Sequence, residues 1–139
     1  AKFGFSASSV TFYFEDQSWI KSQLYAGEWP DVRPILDRKC AANPLPPDFF
    51  KAIGAIEKFS STGLLYSRNE SLHSHPQEGV GASFECPGVP PNLIFSARQM
   101  GLTKAWAETI DFFAKGSNEI PCFKIFGKNI RAVIAGISE

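Results

Sequence analysis

The two histidines of the chain, His73 and His75, are the residues whose type and spacing most directly suggest chemistry, and Glu78 follows close behind. Imidazole nitrogens and carboxylate oxygens are common ligands of transition metals. Alternate residues of a strand share a face, so a strand over residues 64–75 would turn both imidazoles toward one metal ion or substrate. The pattern supports the hypothesis of a small metal-dependent enzyme or ligand-binding domain centred on these three side chains. The simpler interpretation places both histidines on the solvent-facing side of a hairpin.

The three cysteines, Cys40, Cys86 and Cys122, are widely spaced and form no C-x-x-C pair. An odd number at this spacing predicts free thiols rather than a disulfide framework or a zinc site. Arg38 and Lys39 adjoin Cys40 and would favour its thiolate, which makes a nucleophilic role one alternative. Its expected place at the end of a helix, on the apolar side, instead predicts a buried thiol. We expect all three cysteines to be core residues in a reducing compartment.

A short segment between two predicted helices concentrates aromatic and acidic side chains. It contains Tyr25, Glu28, Trp29 and Asp31. Tyrosine and tryptophan are enriched at the energetic centres of protein interfaces, and a loop offers them few core neighbours. These four residues are therefore candidates for binding a protein partner. The alternative is that Trp29 folds back onto its own helix.

The last predicted hairpin, residues 121–137, carries Lys124, Lys128 and Arg131 and no acidic residue, a local charge of +3. These residues are candidates for contacting an acidic partner. Lysine on an exposed strand also prevents edge-to-edge aggregation, and this structural role is the more common one.

Composition excludes several classes of function. The 14 basic and 14 acidic residues of this 139-residue chain balance, which makes a nucleic-acid binder an unlikely interpretation because phosphate neutralisation needs excess basic charge. The longest apolar run is far shorter than the roughly 18 residues of a membrane span, so no membrane association is expected. No glycine-rich phosphate loop follows a predicted strand, and we predict no cofactor.

Residue periodicity predicts the elements. Alternating apolar residues indicate strands over residues 3–14, with a turn or bulge at 7–9. Helical spacing indicates helices over about 16–27, 30–43 and 46–59, and a last helix that begins at Ser96 or Thr103 and ends near Gly116. Two hairpins are expected, one pairing residues 64–75 with 80–86 and one pairing 122–126 with 130–137. Aromatic residues on periodic faces are predicted to be buried: Phe12, Phe14, Phe49, Phe84, Trp106 and Phe113.

The predicted fold class is α+β. Strands that meet their neighbours through short turns favour a mostly antiparallel sheet, with about four helices packed on it. No repeat or change of composition divides the chain, so residues 1–139 are expected to form a single domain.

The preferred functional hypothesis is a small, soluble, cytoplasmic protein that recognises another protein without catalysis, such as a toxin-neutralising or phage-type accessory protein. The metal-dependent domain of His73, His75 and Glu78 is the alternative. A homodimer is left open. The start at Ala1 fits either removal of an initiator methionine or cleavage of a signal peptide.

Overall fold

Antiparallel strands dominate the chain in a computed structural model that describes residues 2–24, 31, 33–116 and 119–137. Within those residues the chain forms eleven strands and three short helices, and every strand pair is antiparallel. The predicted α+β fold, with about four helices packed on a sheet, is therefore wrong. The chain divides into two compact units, Ala1–Asp31 and Val32–Glu139. That they form a single domain stays a prediction.

The first unit is a three-stranded meander of β1 (Lys2–Phe5), β2 (Ser9–Tyr13) and β3 (Trp19–Gln23). The turn predicted at residues 7–9 is confirmed. It is closed by a backbone hydrogen bond from the amide of Ser6 to the carbonyl of Ser9, at 2.8 Å, and by the Ser6 side chain.

The first predicted helix, over residues 16–27, is wrong, because strand β3 occupies part of that range. Asp16, where that helix was expected to begin, instead closes a turn: its carboxylate accepts hydrogen bonds from the amide of Ser18 at 2.9 Å and from the Ser18 hydroxyl at 2.5 Å. These two bonds also lower the pKa of Asp16. Gln17 has a φ of 69°, which turns the chain back along β2. An aspartate side chain that accepts a hydrogen bond from a nearby backbone amide is found both in tight turns and at the start of helices. The residue type alone therefore does not distinguish a turn from a helix here.

The second unit contains the remaining elements, in the following order. They are α1 (Arg33–Leu36), β4 (Asn43–Pro44), α2 (Phe49–Ile56), a 3-10 turn (Glu57–Phe59), β5 (Leu64–Arg68), β6 (Ser71–His73), β7 (Ser83–Glu85), β8 (Ile94–Ser96), α3 (Ala97–Gly101), β9 (Thr109–Lys115), β10 (Pro121–Phe126) and β11 (Arg131–Ala135). They form two four-stranded sheets, one in the order β11-β10-β9-β4 and the other in the order β7-β6-β5-β8.

Helix α2 confirms the helix predicted over residues 46–59, and it buries Phe49, Ala52, Ile53 and Ile56. The helix predicted over 30–43 shrinks to the single turn of α1.

The long helix predicted from Ser96 is correct only at its start. The Ser96 hydroxyl accepts a hydrogen bond from the amide of Gln99 at 3.3 Å, as expected of a helix cap, but α3 ends at Gly101. Strand β9 follows, and both Ile110 and Ala114 are buried. A shift of register opposite Phe123 of β10 places these two residues on opposite faces of the sheet. The stretch fits a period of two as well as a helical period, and pairing of β9 with both β10 and β4 decides for the strand.

Both predicted hairpins contain paired strands, but only the last is as expected. β10 and β11 pair in register from Cys122 with Ala135 to Phe126 with Arg131. In the earlier region the tight turn lies at Asn69 and Glu70, whose φ angles are both positive, so β5 turns into β6 well before His75. Positive φ at both central residues is typical of hairpin turns.

An aromatic cluster joins α2 to both four-stranded sheets. Phe49 of α2 lies 5.8 Å from Phe95 of β8 and 5.6 Å from Phe112 of β9, measured between ring centres. Phe123 of β10 contacts both, at 5.8 Å from Phe95 and 6.4 Å from Phe112. The tilted and edge-on geometries are those that aromatic rings prefer. Phe113, predicted to be buried, instead points outward, because its neighbour Phe112 takes the core position.

Replacing Phe49 by alanine should destabilise the second unit by about 3–5 kcal/mol, since it removes the ring that both sheets share. Phe113→Ala on strand β9 should cost less than about 1 kcal/mol, because that side chain is exposed. Urea denaturation followed by circular dichroism measures both. Equal losses in the two variants would contradict this account of the core.

Candidate protein-binding surface

The sheet of residues 2–24 exposes an unusual amount of apolar surface. Eight of its large apolar side chains are 40–70% exposed: Phe3, Phe5, Phe12, Tyr13, Phe14, Trp19, Ile20 and Leu24. Taken at roughly 200 Å² per side chain, these fractions amount to roughly 850 Å² over the two faces of the sheet. Large exposed apolar patches mark interaction sites, because isolated apolar residues are normal on a surface but contiguous groups are rare.

Strand register places the apolar residues on one face of this sheet. Phe3 pairs with Phe12, and Phe12 pairs with Ile20, so a continuous apolar row crosses all three strands. The next row begins with Phe5 opposite Val10. The Phe3 ring lies 5.4 Å from Phe5 and 6.4 Å from Phe12. We call the side formed by these two rows the apolar face; none of its paired residues is charged.

The opposite side of the same sheet carries the charges. Lys2 pairs with Tyr13 and Tyr13 with Trp19, while Lys21 pairs with Thr11. Two exposed aromatic rings therefore lie side by side next to one lysine. This segregation of lysines from phenylalanines is the pattern of a sheet with one face intended for burial.

The residues of the aromatic connecting segment are mostly outside the described part of the chain. Tyr25, Glu28 and Trp29 fall there, and their predicted role in partner binding stays a prediction. Asp31 is described and is exposed.

The structure does not bring the three basic residues of the last hairpin onto one surface. Lys124 is only 1% exposed, and its Nζ donates to the carbonyl oxygen of Arg38 at 2.6 Å. Arg131 forms an ion pair with Asp37 at 2.9 Å. Lys128 lies exposed in the loop between β10 and β11. Residue type alone suggested exposed lysines, whereas the chain after α1 covers Lys124.

A cleft of about 540 Å³ lies where the chain after α1 crosses β9 and β10, and charged side chains of both signs line it. Asp111 accepts hydrogen bonds from the amide of Ala41 at 3.0 Å and from the amide of Phe113 at 2.9 Å. Arg38 donates to the carbonyl of Gly116 at 3.0 Å. These hydrogen bonds hold residues 37–44 against the sheet. The groups that line the cleft are therefore already bonded within the chain.

His73, His75 and Glu78 do not form one cluster. His73 lies on β6 opposite Tyr66, while His75 follows the strand and its Nδ1 accepts a hydrogen bond from the amide of Gln77 at 3.1 Å. Glu78 is exposed in the following loop. Within the described ranges, no three His, Cys, Asp or Glu side chains are placed to hold a metal ion.

All three cysteines are free, and Cys86 and Cys122 are buried as predicted. The prediction that Cys40 is a core residue is wrong: its thiol is exposed, because α1 ends at Leu36 and no helix carries it into the core. Burial raises the pKa of Cys86 to about 11, and the Asp48 carboxylate adds to that rise. Burial likewise raises the pKa of Cys122.

A comparison of this chain with protein-family models, curated proteins and solved structures finds no match.

No helix in the described residues is long and apolar enough to cross a membrane.

Replacing Lys124 by methionine should destabilise the protein by about 1–3 kcal/mol, since the carbonyl of Arg38 loses its buried donor while the apolar stem is kept. Lys128→Met, which removes the same charge from an exposed loop, should change stability by less than about 0.5 kcal/mol. Thermal and urea unfolding of both variants measure the difference. If Lys124→Met left the free energy of unfolding unchanged, the ammonium group would not be what holds residues 37–44.

The raised pKa of Cys86 predicts a loss of stability in alkali. Below the unfolded-state value of 9.0 the thiol is protonated in both states, and its contribution is fully present. Between pH 9 and about 11 only the unfolded chain loses the proton, so the free energy of unfolding falls. The decline over this range should be shallower in Cys86→Ala than in the wild-type protein, as measured by urea denaturation at each pH; identical slopes would contradict the assignment.

Proposed function

We propose that the chain is a non-catalytic protein-binding protein whose sheet of residues 2–24 inserts into an apolar cleft, rimmed by acidic groups, of a different protein. The observation that carries this proposal is the exposed apolar surface of that sheet, roughly 850 Å² over eight side chains. A specific interface buries about 800 Å² on each partner, so the exposed surface matches one such interface.

The size of each face indicates a cleft rather than a flat surface. The exposed parts of Phe3, Phe5, Phe12 and Ile20 supply only about half of the total. A second copy that stacked only these four side chains on their counterparts would bury about 900–1,000 Å² in all, below the roughly 1,200 Å² of a stable interface. A partner that also covers Tyr13 and Trp19 reaches the required area.

The chemistry of the apolar face defines the partner further. A charged side chain placed against Phe3, Phe12 and Ile20 would lose its water without gaining an opposite charge, which is costly. The partner's cleft is therefore lined by apolar and aromatic side chains. Lys2 and Lys21, on the other face, indicate that acidic groups belong at its rim.

The outer strands add a second mode of contact. β1 and β3 are the edges of the three-stranded sheet, and an edge strand has backbone donors and acceptors directed away from its neighbour. A partner strand alongside β1 would pair with those groups, as in strand-addition complexes. Phe3 and Phe5 on that strand would then lie in side-chain pockets of the partner.

The overall charge and the cysteines support the same interpretation. A chain with equal numbers of acidic and basic residues has no long-range attraction for nucleic acid. Three free thiols, two of them buried, suit a reducing compartment such as the cytoplasm.

The double variant Phe5→Ser/Ile20→Ser tests the surface itself. It should reduce the fluorescence of the apolar probe anilinonaphthalene sulfonate bound to the native protein by at least half. Phe113→Ser is the matched control, because Phe113 and Phe5 are both 70% exposed but Phe113 lies on β9. Equal reductions in the two variants would contradict the special role of the sheet.

Photo-crosslinking tests the partner. Benzoylphenylalanine at position 5 should give one recurrent adduct in the cells that produce the protein, and the same group at position 113 should not. The crosslinked protein, once purified, should bind the Phe5→Ser/Ile20→Ser variant at least tenfold more weakly than the wild type. An adduct with a second copy of this chain, or unchanged affinity in the variant, would overturn the proposal.

A further inference from the structure

The outer side of the second four-stranded sheet contains a buried cationic nitrogen that nothing binds. Nη1 of Arg68 is shielded from solvent and has no hydrogen-bond partner, the only such side-chain atom among the described residues. Native structures rarely leave a buried donor unpaired, and a donor on a charged group is the most costly kind to leave so. An absent ligand is one of the few explanations for such a group.

A small pocket of about 230 Å³ adjoins this arginine, at the junction of β5 with the start of β8. Tyr66, Asn92 and Ile94 are among its lining residues. A volume of this size, at roughly 30 Å³ per water molecule, holds about seven heavy atoms. It is smaller than pockets for drug-sized ligands and suits a small organic molecule.

The backbone around the pocket is held rigidly. Ser67, fully buried beneath it, accepts a hydrogen bond from the amide of Leu93 at 2.9 Å and donates to the carbonyl of Pro90 at 2.6 Å. The amide of Asn92 donates to the carbonyl of Ser67 at 2.9 Å, and Asn92 itself has a φ of 62°. These bonds fix the backbone that carries Asn92 and Arg68, so binding requires ordering of side chains only.

The charges around the pocket favour a single negative charge in the ligand. Arg68 is the only charged residue of its lining. The nearest acidic residues on the same sheet face are not its partners: Glu85 lies two strands away, beyond Ser71, and the carboxylate of Glu70 faces the amide of Gly88. The planar guanidinium fork matches the two oxygens of a carboxylate.

We propose that this pocket binds the carboxylate of a small aliphatic monocarboxylic acid, free or at the end of a peptide. The carboxylate oxygens would accept hydrogen bonds from Arg68. The Tyr66 hydroxyl and the Asn92 amide are the polar neighbours, and Ile94, which pairs with Tyr66, supplies the apolar wall for the short chain. The site belongs to the second unit and does not rest on the proposed role of residues 2–24.

Titration of the full chain with sodium butyrate, followed by calorimetry and by the thermal midpoint Tm, tests the site. Butyrate should bind the wild-type protein and raise its Tm. Arg68→Gln should weaken the Kd at least tenfold, whereas Arg98→Gln, which removes an exposed arginine from α3, should leave it unchanged. Arg68→Lys keeps the charge without the fork and should bind at an intermediate strength. No Tm shift in the wild type, or equal shifts in the wild type and the Arg68→Gln variant, would overturn the proposal.

Three further probes define the ligand class. N-acetylvaline should bind, and N-acetylvalinamide, which lacks the carboxylate, should not. The Kd of butyrate compared with the Kd of N-acetylvaline distinguishes a free acid from a peptide terminus. Inorganic phosphate binding more tightly than butyrate would overturn the monocarboxylate assignment. If Arg68→Gln fails to fold, the Nε–Hε resonance of Arg68 in the wild-type protein provides the test, because it should shift on titration with butyrate and stay unchanged with valinamide.

Discussion

The contact of the Phe49 ring with Phe95 and Phe112 is the interaction on which the second unit depends. α2 is the only helix of eight or more residues in the described chain, and these contacts anchor it to both four-stranded sheets. Phe123 closes the cluster from β10. Because both sheets are small, neither could bury its inner face alone, so the shared aromatic cluster makes one core of them.

A second constraint is polar. Residues 37–44 cross the edge of the β9–β10 pair, and their backbone is held by Lys124 and Asp111, which pair in register on neighbouring strands. A buried ammonium group and a buried carboxylate are tolerable only because each is hydrogen-bonded. The same arrangement removes Lys124 from the surface and leaves Cys40 on it, opposite to what the sequence pattern indicates for each.

The proposed binding sites show where sequence reasoning stops. Alternation at Phe3, Phe5 and Phe12 correctly predicts strands with one apolar face, but it cannot tell whether a second layer of the same chain covers that face. The predicted burial of Phe12 and Phe14 was wrong for this reason. Arg68 gave no signal at all, because an unpaired buried nitrogen is defined by what surrounds it and not by its type.

The sequence by itself determined the elements whose signals are local: the strands β1 and β2, helix α2 and the final hairpin of β10 and β11. Each depends on turn chemistry or on a pattern within about a dozen residues. Only the tertiary structure decided that residues 19–23 and 109–115 are strands, that Lys124 is buried and that Phe113 is exposed. The physical reason is that a strand gains its hydrogen bonds from distant partners, so where a local pattern fits both helix and strand, the pairing available elsewhere in the chain makes the choice.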